Sequence, residues 1–283
     1  MSDSAGLAVG PGLTRAGLGE GRARRVRSGA GLRRAAGYVA LPLALFALWQ
    51  ALYALGAIRP ILLPPPSQVA AAFVDLAASG ELARHLGISL LRVLEGFAVA
   101  ALVGLPLGVA IGLSRRLDHA TDLLVQLIKP IPPIAWIPLA ILWFGIGEGG
   151  KVFIIFLGAL FPVLINTIDG IRQTDHRHVE LARILEVSRL RFVTHVVLPG
   201  ALPAIMTGLR VGLMVAWMCV VAAELIAASS GVGYLIMDAR QLSQTDRVLV
   251  GMITIGAMGK LLDLALKLIE GRLITWKAAF TGA

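Results

Sequence analysis

What most restricts this chain is a series of near-continuous apolar runs, each about as long as the roughly 20 residues a helix needs to cross a bilayer. A soluble domain of 283 residues could not cover them, because too little polar sequence remains to make a wetted surface. Apolar residues are 57% of the chain and charged residues 15%, against about 45–50% and about 25% in soluble domains. The chain therefore reads as an all-α integral membrane protein. A soluble enzyme, a nucleic-acid binder and a secreted disulfide scaffold are excluded. The single cysteine, Cys219, lies inside an apolar run, so no intrachain disulfide forms and a buried, inert thiol is expected.

The runs predict six transmembrane helices, at 38–57, 86–113, 122–145, 152–168, 203–227 and 248–269. The net charge of +9 is concentrated on one side of them. Seven arginines fall in the Gly-rich stretch 1–37, which reads as a disordered basic tail beside anionic headgroups. That tail, Arg115 and Arg116, the arginines of the 170–202 loop, and Arg272 with Lys277 together carry sixteen positive side chains, against four on the other side. The positive-inside rule then places both termini in the cytoplasm, and the short stretch 270–283 is a cytoplasmic tail. A basic region before an apolar run also fits a cleaved leader, but 38–57 is longer than a leader's apolar core and reads as a retained anchor.

Between anchor and core, 58–85 forms an outer segment. Leu63-Pro64-Pro65-Pro66-Ser67 breaks the chain there and offers Ser67 as an N-cap. Val69, Phe73 and Leu76 then fall at helical spacing, predicting a short amphipathic helix. The core, 86–269, holds the other five spans. Its proline-rich segment, Lys129-Pro130-Ile131-Pro132-Pro133 with Pro138 beyond, predicts a kinked span suited to lining a cavity.

Ionisable residues inside spans are costly and so are candidates for function. Arg92 with Glu95, and Lys260 with Asp263, are three apart on a helical face, and internal ion pairs are the reading for both. Arg210 has no carboxylate at helical spacing, and Lys129 sits beside the proline break. These two are the candidates for making a path attractive to an anion. Trp217, midway along its span, either lines that path or fills helix contacts. The run Gly145 to Lys151 mimics the start of a phosphate-binding loop, but Val152 stands where a hydroxyl is required and no strand precedes it, so it reads as a tight outer turn. No metal-binding or nucleophilic constellation is present in the pattern. Any ATP and Mg²⁺ would belong to another chain, and this chain takes no cofactor and is not an enzyme.

The longest cytoplasmic loop, 170–202, is the most informative segment. It is polar yet helically periodic, with Val179, Ala182 and Leu185 beside charges, as in a short amphipathic helix offered to a partner. Glu180-Leu181-Ala182-Arg183, then Glu186, then Val196-Val197-Leu198-Pro199 resembles the "EAA" loop of binding-protein-dependent ABC importer permeases, whose pattern is Glu-Ala-Ala, three residues, Gly, nine residues, and Ile-any-Leu-Pro. The spacing matches throughout. Leu181 replaces an alanine and Glu186 replaces the glycine, and because Glu resists positive φ the turn at 186 is expected to depart from its usual geometry. Ser89-Leu90-Leu91-Arg92-Val93, Gly104-Leu105-Pro106-Leu107-Gly108, Trp143 to Gly147, Ser229 to Tyr234 and Gly259-Lys260-Leu261 resemble the branch serving aliphatic sulfonates, taurine, and nitrate or bicarbonate.

The resemblance implies a type I ABC importer permease fold with a cytoplasmic coupling helix, paired as a homodimer in the inner membrane. It also implies cytoplasmic ABC ATPase subunits docked on the loop, with Glu180 the charged contact and Ala182 allowing close approach, and an extracytoplasmic binding protein delivering substrate. Transport would proceed by alternating access, with an aliphatic sulfonate or taurine as cargo. Alternatives are nitrate, bicarbonate or a thiamine precursor and, from another class, an ion-coupled secondary transporter.

Overall fold

The computed structural model describes residues 40–56, 62–174 and 176–274. The predicted tail 1–37, the start of the anchor and most of 270–283 lie outside the described residues. The chain falls into two units, one ending at Pro60 and the other beginning at Ile61. In the first, helix α1 (Ala40–Ala54) is apolar but shorter than a full span, and Phe46 and Trp49 stack within it at 6.0 Å.

In the second unit, every regular element among the described residues is helical. In order these are α2 (Pro66–Ala78), α3 (Glu81–Leu113), α4 (Arg115–Ile128), a 3₁₀ turn (Pro133–Trp136), α5 (Ile137–Phe144), α6 (Glu148–Arg172), α7 (His176–Ile184), α8 (Arg189–Phe192), a π turn (Val193–Val197), α9 (Leu198–Ala227), α10 (Val232–Gln241) and α11 (Thr245–Leu273). Four stretches are long and apolar enough to cross a membrane: α3, α6, the continuous run Arg189–Ile226, and α11. The bent pair of α4 and α5 makes up to a fifth.

Helix α6 is central, flanked by α3 and α9. Lipid tails offer no hydrophobic drive for helices to associate, so close backbone approach through small residues has to do it. The α3 seam is Gly96 against Ile155, Gly104 against Val163 and Gly108 against Thr167. On the other side Gly208 meets Asn166, and Gly212 meets Ala159 and Val163. A Cβ at Gly96 would lie 2.6 Å from the Ile155 side chain, so no larger residue fits there without displacing α6.

The predicted kinked span 122–145 is instead two helices, bent by 85° at the break between them. Pro130, Pro132 and Pro133 fall in or beside that break, and each removes an N–H while fixing φ. The outer segment also differs from expectation. Pro65, not Ser67, is the N-cap of α2, and the helix buries Val69, Ala72 and Leu76 while Phe73 faces outward. Prolines suit the first helical turn because their missing N–H would have no partner there. Helix α2 packs on α3 and α11, which explains its buried stripe.

Candidate translocation site and docking helix

In the 170–202 segment, α6 runs on to Arg172, α7 carries Glu180, Leu181, Ala182 and Arg183, and Leu198 and Pro199 open α9. Pro199 has no N–H and its ring crowds the carbonyl four residues back. The helix answers with a π turn over Val193–Val197, in which the Leu198 N–H reaches the Val193 carbonyl. Glu180, Leu181, Ile184 and Leu185 are exposed, so the helix presents apolar side chains beside a carboxylate.

The turn after α7 overturns the expectation for Glu186. Its φ is +49°, in the left-handed region. The Val187 N–H bonds the Ala182 carbonyl at 3.0 Å, spanning five residues as in a Schellman C-cap. The chain thus makes the turn a glycine would make, with a side chain that strains it. Glu186→Gly should therefore stabilise α7 locally by about 1 kcal/mol. Slower hydrogen exchange of the α7 amides would show it, and unchanged exchange would mean that Glu186 gains a compensating contact.

Two cavities border the break between α4 and α5 and the facing side of α6. The larger, about 480 Å³, is lined by Asp118, Asp122, Lys129, Asp169 and Arg172 among others. The smaller, about 320 Å³, is lined by Lys129, Trp136, Leu157, Phe161, Asn166 and Val211 among others. They share Lys129 and Ile165. Arg172 pairs with Asp118 in the first, and Gln126 donates to Asp122 at 2.7 Å. Towards the Gly145 turn only about 20 Å³ remains between α5, α6 and Ala223. From the end of α6 near α7 to the end that carries Glu148, the three separate spaces measure about 480, 320 and 20 Å³.

At the Glu148 end of α6 sits a buried charge cluster that sequence spacing misassigned. Arg92 does not pair with Glu95, which is exposed. Its Nε and Nη2 donate to the two oxygens of Glu148 at 2.5 and 2.7 Å. Its Nη1 donates to Glu224 at 2.8 Å and to the Ser230 carbonyl at 2.7 Å. Ser89 Oγ donates to Glu224 and accepts from the Val232 N–H, the Gly233 N–H donates to Glu224, and the Gly231 N–H donates to His85 Nδ1. Gly231 has φ +111°, and a Cβ there would lie 2.2 Å from the Glu224 carboxyl. Lys151, from the run that mimics a phosphate loop, is buried and donates to Glu148 at 2.9 Å. The cluster joins α3, α6, α9 and the start of α10. The segments around Ser89 and around Ser230, both part of the resemblance, meet in it. That juxtaposition was the available signal.

Asp263 likewise pairs with Arg210 and Lys267, both at 2.8 Å, and not with Lys260. Arg210 also reaches Glu270 at 3.3 Å, so it has the carboxylates that helical spacing on its own helix did not supply, and it lines neither cavity. Trp217 is 2% exposed, donates its indole N–H to the Ile255 carbonyl at 3.0 Å, and fills the α9–α11 contact. Of the three path candidates, Lys129 alone lines the cavities. Among the described residues no cluster of three or more His, Cys, Asp or Glu is placed to hold a metal ion.

Residues 104–275 match the family described as binding-protein-dependent transport system inner membrane components. The chain belongs to that family. It is 43% identical over 242 residues to the putative aliphatic sulfonates transport permease protein SsuC of Bacillus subtilis, covering 86% of this chain and 88% of that one. The protein of the same name from Escherichia coli is 45% identical over 240 residues, covering 85% and 91%. The fold is that of a chain in the MetNI methionine ABC transporter, with a TM-score of 0.55 at 17% identity over 65% of this chain and 92% of that one. This permease is a membrane component of an ABC transporter of the sulfonate, taurine, bicarbonate and nitrate branch and not itself a catalytic enzyme.

Proposed function

We propose that this permease, as a homodimer in the inner membrane, imports an aliphatic sulfonate or taurine by ATP-driven alternating access. The observation that carries the coupling is α7, a short helix presenting Glu180, Leu181 and Ile184 outward and ended by a fixed turn. Such a helix suits docking into a groove on a cytoplasmic ATPase, where ATP and Mg²⁺ would reside. Both termini lie on that side by the positive-inside rule. The opposite end, with Glu148 and the 228–231 turn, faces the binding protein that delivers cargo. Outward apolar residues such as Leu91, Leu102 and Leu264 meet lipid or the second copy.

The cargo follows from the relatives, so it is tested by growth of a deletion strain on single sulfur or nitrogen sources. Loss of growth on an alkanesulfonate or taurine alone, restored by the intact gene, is expected. Failure on nitrate with normal growth on sulfonates would move the cargo to the inorganic-anion branch. Uptake driven by an ion gradient without an ATPase would overturn the ABC mechanism.

A further inference from the structure

The permease reading does not say where along the path a transported anion rests. Five of the cations on α3, α6, α9 and α11 are already satisfied. Arg92, Lys151, Arg172, Arg210 and Lys267 each hold a carboxylate. Lys129 makes no ion pair among the described residues, and it is the one ionisable residue lining the smaller cavity. Lys260, which also makes none among them, lines neither cavity.

The smaller cavity lies level with the middle of α6, since Leu157, Phe161 and Ile165 line it. The Lys129 side chain is exposed beside this space, and an ionisable group level with the apolar middle of a spanning helix is costly unless a counter-charge offsets it. Beyond Lys129 the walls are apolar and aromatic: Trp136, Leu157, Phe161 and Val211. On its other side the larger cavity carries Asp118, Asp122 and Asp169 against one further cation, Arg172, which Asp118 already holds, so an anion arriving at Lys129 stops there.

We infer that Lys129 and the apolar walls beyond it form a resting site for an anion with an apolar body. The head group pairs with the Lys129 ammonium and the hydrocarbon lies between Trp136 and Val211. This deepens the proposed function and rests on it for the direction of travel, though not for binding itself. A small inorganic oxyanion would satisfy Lys129 but leave the apolar volume unfilled. An anionic lipid has the same two-part chemistry, and the experiment separates the two sources.

The test uses the permease–ATPase complex in phosphatidylcholine vesicles. Cys219, the chain's single cysteine, is buried, so Val211→Cys introduces one accessible thiol on the cavity wall. Pentanesulfonate should protect that thiol from alkylation, and nitrate should not. Adding Lys129→Gln should weaken the protection about tenfold, the value of one charge-assisted hydrogen bond. Lys129→Arg should keep it within about twofold. Uptake of pentanesulfonate, measured in parallel without the Val211 change, should fall with Lys129→Gln while the complex keeps its melting temperature. Protection that is absent, or insensitive to Lys129, overturns the site even if uptake proceeds. Protection conferred by phosphatidylglycerol in the vesicles instead of by pentanesulfonate overturns it in favour of lipid. Protection without uptake in the wild type would leave the site standing and sink the transport reading.

Discussion

Glu224→Ala is expected to destabilise the permease more than any other single change in the charge cluster, by about 3–5 kcal/mol. The Glu224 carboxylate is wholly buried, with its side chain 0% exposed, and it accepts from Ser89, Arg92 and the Gly233 N–H. Removing it leaves a buried backbone N–H without its acceptor and one arm of a buried guanidinium short of a partner. Glu148→Gln should cost less than that, because Glu148 is itself 61% exposed and the replacement amide can still accept from both cations. Arg92 would then still be neutralised by Glu224. Besides Arg92 with Glu224, the cluster pairs Lys151 with Glu148, so Glu148→Gln takes the carboxylate from the buried Lys151 but leaves it an amide oxygen to donate to. Gly231→Ala should resemble Glu224→Ala, since it both strains a φ of +111° and pushes on the same carboxyl. Thermal unfolding of the detergent-solubilised protein orders the three variants. Equal losses for Glu224→Ala and Glu148→Gln would show that Glu224 is not the centre of the cluster.

The contrast between those carboxylates marks what local sequence could and could not reveal. Long apolar runs and the spacing of the 180–199 motif are local properties, so the all-helical membrane class and the position of α7 were legible. Ion-pair partners were not. Spacing of three or four residues reports only on one helix, whereas Arg92 finds Glu148 and Glu224 at separations of 56 and 132 residues. Arg210 finds Asp263 at a separation of 53, on a neighbouring helix. The prolines at 130, 132 and 133 announced a break but not its 85° angle, which depends on what α5 packs against. Glu186 is a different case. Its propensity argues against positive φ, yet the Val187-to-Ala182 hydrogen bond and the following helix impose it. Local preference lost by about 1 kcal/mol to the closure of a cap.

That imposed turn bears on the second large effect, expected at Glu180. On the docking reading, the exposed Glu180 carboxylate meets a basic side chain of the ATPase, and Glu180→Lys places two like charges face to face. Uptake should fall by at least about tenfold, since like-charge juxtaposition at an interface costs several kcal/mol. The permease itself should fold normally, because Glu180 is exposed and accepts no hydrogen bond among those described. Retained membrane level and unchanged melting of the isolated permease, with loss of ATPase co-purification, is therefore the expected pattern. Leu181→Glu should give a weaker version of the same loss, because it charges the apolar part of the same surface, where Leu181 is 53% exposed. A matching charge reversal on the ATPase should restore uptake to Glu180→Lys but not to Leu181→Glu, since only the former depends on the sign of a single pair. If Glu180→Lys leaves both uptake and ATPase association unchanged, α7 is a solvated helix and the permease couples to ATP hydrolysis through another surface.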